Sequence, residues 1–364
     1  MMKLSVIQAE YGDCLLLKFG SPSKPAHILI DGGPSGTYPK HLHLELEKIR
    51  QANGCLELMI LSHVDNDHII GLLEMLADMV KQRAAQKPDL VPVRAIWHNA
   101  FEQAEGRRAG LTARIDAGLG GVDGMTFSAA NAVTFGIKEG SKLVTAARQL
   151  NIPVNPNIPG AVITTHSQPD PVMIGDLKLW VIGPTPENLA ALKEKWLAWL
   201  ETYEKRAPFA DGVEAEKIDR SVPNLSSIML LAQVGQRKFL LTGDGTSDDV
   251  LEGLRKKGFL DSNGRLKVDV LKLPHHGSAR NMRRAFFEQI TAKTYVISAN
   301  GRDGNPDLAT LIWLVTTAKS QRRKIKIVAT NATETLDQLV EEYPPETYRY
   351  TLVTMNPGDH ALEI

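Results

Sequence analysis

Several features that would place a chain in a class at once are missing here. Only two cysteines occur in 364 residues, Cys14 and Cys55, and their spacing suits neither a metal site nor a disulfide framework. Free thiols in a reducing compartment are expected. Net charge is also absent, because 42 Lys and Arg balance 42 Asp and Glu. The chain therefore has no general attraction to nucleic acid or anionic membrane, and a polyanionic substrate must be drawn in by a local patch. No apolar run approaches the roughly 18 residues needed to span a bilayer. The opening MMKLSVIQAEYGDC has no basic segment followed by a long apolar core, so no signal peptide is expected. Internal repeats and low-complexity tracts are missing too. What remains is 43% apolar and 23% charged, a balance that suits a soluble, cytoplasmic globular protein with a substantial core.

Short apolar runs punctuated by turn residues fill the start of the chain. KLSVIQ, CLLLKFG and HILIDGG read as strands, HLHLELEKIRQ as a helix, and LELMILS as a buried strand. IIGLLEMLADMVKQRA has helical spacing, and VRAIWHNA reads as a further strand ending in His98. Residues 102–170 are rich in Gly and Ala, with a helix expected from about Ala130 to Leu150, and read as an insertion on one domain spanning 1–364. Residues 187–222 read as an elaboration, an amphipathic helix followed by a polar loop. Strands and helices then alternate through SSIMLLAQV, RKFLLTGD, DDVLEGLRKKG, VDVLKLP, NMRRAFFEQI, TYVISANG, LATLIWLVTTAKS and KIKIVAT. This alternation predicts an α/β layered fold.

Three polar clusters share one context, the C-terminal end of a predicted strand. His63, Asp65, Asp67 and His68 follow LELMI, Asp244 follows FLLTG, and His275 and His276 follow VLKLP. Side chains beyond strand ends can converge on one sheet edge, where α/β proteins place ligand sites. A single histidine there is ordinarily a hydrogen-bonded structural residue, and Asp is a turn former in its own right. Four ionisable groups within six positions are a different matter, since unpaired charge beside a buried strand is costly. Together the three clusters read as a metal cradle. His98 and His166 are more weakly placed and read as structural residues.

The ordered set H-x-D-x-D-H, LLTGD and LPHHGS resembles the metallo-β-lactamase superfamily. With YGDCLLLKF, ILIDGG and N-x-S-S-I it is similar to the ComEC-like branch. The resemblance implies an αββα sandwich and a hydrolase with two divalent metal ions at one edge. It assigns His63, Asp65 and Asp244 to one ion, with Asn224 or water, and Asp67, His68, Asp244 and His275 to the other. Asp31 supports the metal loop from behind. His276 could support a ligand from behind, contact substrate or donate a proton, and Asp67 could double as a proton acceptor. Two positions depart from the family pattern. Asp65 replaces a histidine, and Asn224 stands where a histidine usually precedes the bridging aspartate. Carboxylate and carbonyl ligands suit Mn²⁺, whereas imidazole-rich tetrahedral sites suit Zn²⁺. Mn²⁺ is therefore expected to serve at least as well as Zn²⁺.

Two cations can activate a hydroxide and stabilise both attacking and leaving oxygens, so no nucleophilic side chain is required. No G-x-S-x-G elbow is present. The expected activity is that of a phosphodiesterase or nuclease acting on DNA, RNA or a small nucleotide, with Arg280, Arg283 and Arg284 as candidate phosphate contacts. Each of these arginines is equally compatible with a solvated helix face. Two alternatives stand beside this: a hydrolase of a lactone, amide or thioester, and a weakly active or inactive binding or assembly component. No membrane partner is expected, and the sequence names no protein partner.

Overall fold

The computed structural model describes residues 1–99, 129–191, 194 and 223–364. The first part of the expected insertion and nearly all of the 187–222 elaboration, with its amphipathic helix and polar loop, lie outside the described residues.

Two sheets form the centre. The first runs β14–β1–β2–β3–β4–β5, from β1 (Met2–Ile7), β2 (Leu15–Ser21), β3 (Lys24–Ile30), β4 (Leu56–Ile60), β5 (Ile96–Trp97) and β14 (Ala361–Glu363). The second runs β13–β12–β11–β10–β9–β8–β7–β6. It comprises β6 (Val172–Ile174), β7 (Leu177–Gly183), β8 (Met229–Val234), β9 (Arg237–Leu241), β10 (Leu266–Lys272), β11 (Ile290–Ile297), β12 (Ile325–Ala329) and β13 (Tyr350–Thr354). Against the first sheet lie α1 (His43–Gln51), α2 (Asn66–Ala84) and α3 (Ala129–Gln149). Against the second lie α4 (Ser247–Lys256), α5 (Arg284–Gln289), α6 (Leu308–Ser320) and α7 (Glu334–Glu342).

Side-chain alternation along the strands builds the layers. In β3, Ile28 and Ile30 enter the core between the sheets, where they join Leu230, Phe239 and Val270, while Leu29 faces Leu46, Leu72 and Leu143 of the helices. In β11, Val296 faces the inter-sheet core, and Tyr295 and Ile297 face α5 and α6. The result is helices, sheet, sheet, helices: the αββα sandwich that the sequence implies.

Register places the site. Ile30 pairs with Ile60 and Ile60 with Trp97, so β3, β4 and β5 end level with one another. In the second sheet Leu271 pairs with Leu240, and Lys272 with Val296, which levels β9, β10 and β11 in the same way. Those strands run parallel within each sheet, so the polar loops after them leave one rim. Two glycines let the layers meet there. A Cβ on Gly71 would lie 1.9 Å from the Gly32 carbonyl oxygen, so α2 can dock against the Asp-Gly-Gly turn only with glycine at both places.

Some expectations change. VRAIWHNA yields only the two residues Ile96 and Trp97 as strand, because the segment around Pro153–Asn155 takes up the edge: Ile96 N–H donates to Pro153 O, and Asn155 N–H to Ile96 O. The helix read in HLHLELEKIRQ begins as a wider π-helical turn, Tyr38–Leu42. The helix expected near Ala130–Leu150 spans Ala129–Gln149, and its Leu143 and Ala147 join the same core as Leu72 and Met75. The C-terminal elements α7, β13 and β14 lie beyond KIKIVAT, the last segment read as an element; α7 buries Leu336 and Leu339, and β13 and β14 are short and partly exposed. No described helix is long and apolar enough to cross a membrane.

Candidate metal centre

The loop after β4 and the first turn of α2 carry His63, Asp65, Asp67 and His68. Asp65 is the N-cap of α2, a position where Asp ordinarily accepts a backbone N–H. Its carboxylate makes no such bond, and Oδ2 lies 3.6 Å from His63 Nε2 instead. Asp67 stands in the helix's first turn, where the exposed N–H groups favour negative charge.

Behind the loop, Asp31 directly follows β3 with φ 58°, a left-handed conformation that is strained for a residue with a Cβ. Its carboxylate accepts from Ser62 N–H and Ser62 Oγ–H, both at 2.7 Å, and from His68 Nδ1–H at 2.9 Å. This fixes the His68 tautomer and turns Nε2 toward Asp67 Oδ2 and Asp244 Oδ1, each 3.5 Å away. An imidazole held by a carboxylate at one nitrogen and bare at the other is the usual preparation of a metal ligand.

The second sheet supplies the rest. Asp244 is buried just past β9, and its backbone N–H donates to Ser227 Oγ. His275 and His276 occupy consecutive left-handed positions, φ 45° and 55°. His276 Nδ1–H donates to the Ser298 carbonyl at 2.7 Å, leaving Nε2 3.1 Å from Asp67 and 3.5 Å from Asp244 Oδ2. His275 Nε2 lies 3.7 Å from Asp244 Oδ2, as does His63 Nε2. Asp244 is thus the hub, with imidazoles against both of its oxygens.

Four residues, Asp13, His68, Asp244 and His276, offer ligand atoms all within 4.8 Å of one another. Among the described residues, His63 Nε2, His68 Nε2, Asp13 Oδ1 and Asp244 Oδ1 are buried without a hydrogen-bond partner. Buried polar atoms are rarely left so. The donor set, imidazole nitrogen and carboxylate oxygen, fits a divalent cation.

The same groups set one another's proton affinities. Burial opposes the charge on Asp244, but His276, His275 and His68 outweigh it and hold the carboxyl well below its ordinary range. Asp67 is likewise held low against burial, by His68 and the hydrogen bond from His276. Burial would also lower His276, yet Asp244 and Asp13 push it up to about 10. Protons and divalent cations are alternative partners for this cluster of carboxylates.

Sequence reasoning did not find Lys272. Its side chain is fully buried and ion-paired with Asp13, with Nζ 3.8 Å from Asp244 Oδ1 and 3.2 Å from the Gly243 carbonyl. Burial works against its charge, but Asp13 and Asp244 keep it above the ordinary lysine value. The signal was a lysine inside the apolar run VLKLP, since a buried charge requires a partner. Nor did it place the Ser298 carbonyl.

The remaining candidates differ in where they stand. Asn224 is buried, and its Nδ2 is 3.1 Å from His275 Nδ1. Arg283 forms an exposed pair with Asp248 at 2.7 Å, while Arg280 and Arg284 are exposed. His166 is exposed. His98 is buried one strand away from the cluster.

No family model matches the chain. ComE operon protein 3 of Bacillus subtilis (strain 168) is 32% identical over 123 residues, which are 33% of this chain and 14% of that protein. The matched stretch is thus a small part of its relative. A solved diphosphatase from the PhnP family aligns with 100% of this chain and 97% of its own at 10% identity and a TM-score of 0.38, too slight a likeness to carry an argument.

Proposed function

We propose that the protein is a metal-dependent phosphodiesterase or nuclease of the metallo-β-lactamase superfamily, ComEC-like branch. The observation that carries this reading is the buried cluster of Asp13, His68, Asp244 and His276, whose ligand atoms lie within 4.8 Å of one another, with Asp13 Oδ1, His68 Nε2 and Asp244 Oδ1 unpartnered among the described residues. The partial likeness to ComE operon protein 3 and the ordered motifs support the branch.

Bound divalent cations would supply Lewis acidity, making water a nucleophile near neutral pH and offsetting charge on a phosphoryl oxygen. The chain's own residues prepare for this. Asp31 and the Ser298 carbonyl hold His68 and His276 by Nδ1, so that both Nε2 atoms converge on Asp67 and Asp244. Asp65 and Asp67, 28% and 24% exposed at the side chain, are the carboxylates of the loop that reach solvent and would meet incoming water. Arg280 and Arg284, exposed and without an ion pair among the described residues, are the arginines that would meet a substrate phosphate. Ser62 is a poor nucleophile here. It is 1% exposed, and its hydroxyl is committed to Asp31.

The test uses metal-depleted protein reloaded with Mn²⁺ or Zn²⁺ and assayed on bis(p-nitrophenyl) phosphate, on DNA and on a simple lactone. Metal-dependent turnover of the phosphodiester is expected, with Mn²⁺ at least as effective as Zn²⁺. Turnover of the lactone alone would replace the reading with a different hydrolase. Full metal loading with no turnover of any substrate would leave a binding component.

A further inference from the structure

Two adjacent histidines in one loop need not serve one ion, and here their surroundings differ. We infer, on the basis of the hydrolase reading, that His275 and His276 are divided between two cation positions and that Asn224 positions His275. His276 belongs to a closed position with Asp67, His68 and Asp244. His275 belongs to an open position with His63, Asp65 and Asp244.

Backbone geometry separates the pair. Both residues are left-handed, a conformation in which consecutive side chains diverge, and their ring centroids stand 5.9 Å apart with planes at 80°. Strain of this kind at two neighbouring non-glycine residues marks a place where the fold dictates where side chains point. Asp67 Oδ2 is then within 4 Å of His68 and His276 but, among the described ion pairs, not of His275. Asp244 Oδ2 faces His275 and His63 at 3.7 Å and His276 at 3.5 Å, so Asp244 stands between the two positions and Asp67 is the carboxylate that separates the two histidines. Exposure separates the two adjacent histidines themselves, His276 being 4% and His275 29% exposed at the side chain.

The second nitrogen of each ring carries the argument further. A histidine that gives Nε2 to a cation must keep its proton on Nδ1 and needs an acceptor there. His276 has the Ser298 carbonyl. At His275 the neighbour is the Asn224 amide, with Nδ2 3.1 Å from Nδ1 and Oδ1 buried without a partner among the described residues. Rotating that amide by half a turn exchanges two atoms of equal size and brings Oδ1 to Nδ1–H. An asparagine can therefore serve either tautomer of His275, and a cation at Nε2 selects the orientation with oxygen facing the ring. Asn224 stands in the sequence slot where the resemblance expects a ligand. In this chain that slot orients a ligand brought from a different loop.

The experiment counts cations. Mn²⁺ is titrated into metal-depleted protein, with bound metal measured after equilibrium dialysis and the spin coupling of neighbouring Mn²⁺ ions read by electron paramagnetic resonance. Wild type is expected to bind two equivalents, one tighter than the other, with a coupled signal at saturation. His275→Ala should keep the tighter equivalent at unchanged affinity and lose the weaker one together with the coupling. His276→Ala should weaken the tighter one. Asn224→Leu should weaken the second equivalent about tenfold or more, and Asn224→Asp, which can accept but not donate, should restore it. Thermal melting of each metal-free variant confirms folding, and the exposure of His275 makes its truncation mild. The inference is overturned if His275→Ala retains both equivalents, if it loses the tighter one, or if wild type binds a single ion. A wild type that binds none removes the hydrolase reading itself.

Discussion

Neighbouring strands of the first sheet end level, and each delivers buried histidine to the same rim, with opposite consequences. After β4, His68 is surrounded by Asp31, Asp67 and Asp244, which outweigh the cost of burial and hold its imidazole well above the ordinary histidine value. After β5, His98 is just as buried and has no carboxylate beside it among the described residues; burial depresses it to about 4. Its backbone is bracketed by Asn155, which accepts its N–H at 2.9 Å and donates to its carbonyl at 2.6 Å. Both of its ring nitrogens are unpartnered among the described residues, and its Nε2 sits 3.2 Å from where a Cβ on Gly140 of α3 would stand. Burial does not separate a candidate cation site from a core histidine here. The carboxylates do, and they arrive from both sheets.

Removing carboxylate from the β4 end should therefore have the largest effect. Asp244 faces four imidazoles and the Lys272 ammonium, so Asp244→Asn is expected to lower metal-dependent turnover by about 10³-fold or more, on the scale of losing a principal electrostatic contact in a reaction. Asp67→Ala should approach the same loss. Steady-state assays at saturating Mn²⁺ check both, and near-normal turnover would show that the cluster is structural.

The next effect concerns stability. Lys272 and Asp13 form a fully buried pair, so Lys272→Met strands a carboxylate in the interior, with an expected cost of about 3–5 kcal/mol in urea unfolding. Adding Asp13→Asn to that variant should recover much of the loss, because removing both partners leaves no uncompensated charge. A double variant no better than the single one would mean that the pair is not what holds this corner.

His98 offers a smaller and oppositely directed test. Between pH 6.5 and about 4 the unfolded chain carries a proton on this histidine that the folded protein excludes. Stability therefore falls as pH falls through that window, by up to about 3 kcal/mol at its lower end for a shift of this size. His98→Leu should flatten this part of the pH profile of chemical unfolding and leave stability near pH 7 unchanged or improved. His27, also depressed to about 4 by burial, provides a remaining slope of the same sign.

Much of this corner was legible before the structure. Density of charge after LELMI, the Asp after FLLTG and the paired histidines after VLKLP all pointed to strand ends, and parallel register brings those ends level. What could not be read depends on long-range pairing or on backbone conformation. The division of His275 from His276 follows from two consecutive positive φ values, which no spacing rule encodes. Lys272 has its partner in the loop after β1, and Asn224 touches a loop two strands further on. Arg283 is spaced like a phosphate contact but pairs with Asp248 on α4, a choice visible only once α4 and α5 are side by side. The edge strands β13 and β14 are short and half-exposed, so they lack the apolar alternation that reveals buried strands.

Within the β4 loop itself, Asp65 allows the mildest test. It leaves the N-cap of α2 unbonded and points an oxygen at His63, giving the open side of the site a carboxylate where imidazole would favour zinc. Asp65→His keeps a ligand there and changes only its chemistry. Since Asp65 is partly exposed and makes no cap bond, little folding stability is at stake, and the thermal midpoint should move by no more than a few degrees. The ratio of Mn²⁺- to Zn²⁺-supported turnover should then fall by several-fold, through a gain with Zn²⁺ as much as a loss with Mn²⁺. An unchanged ratio with intact folding would place Asp65 outside the ligands, as a residue that only steers the His63 ring. The oxygen-rich side of the site would then owe its metal preference to Asp67 and Asp244 alone.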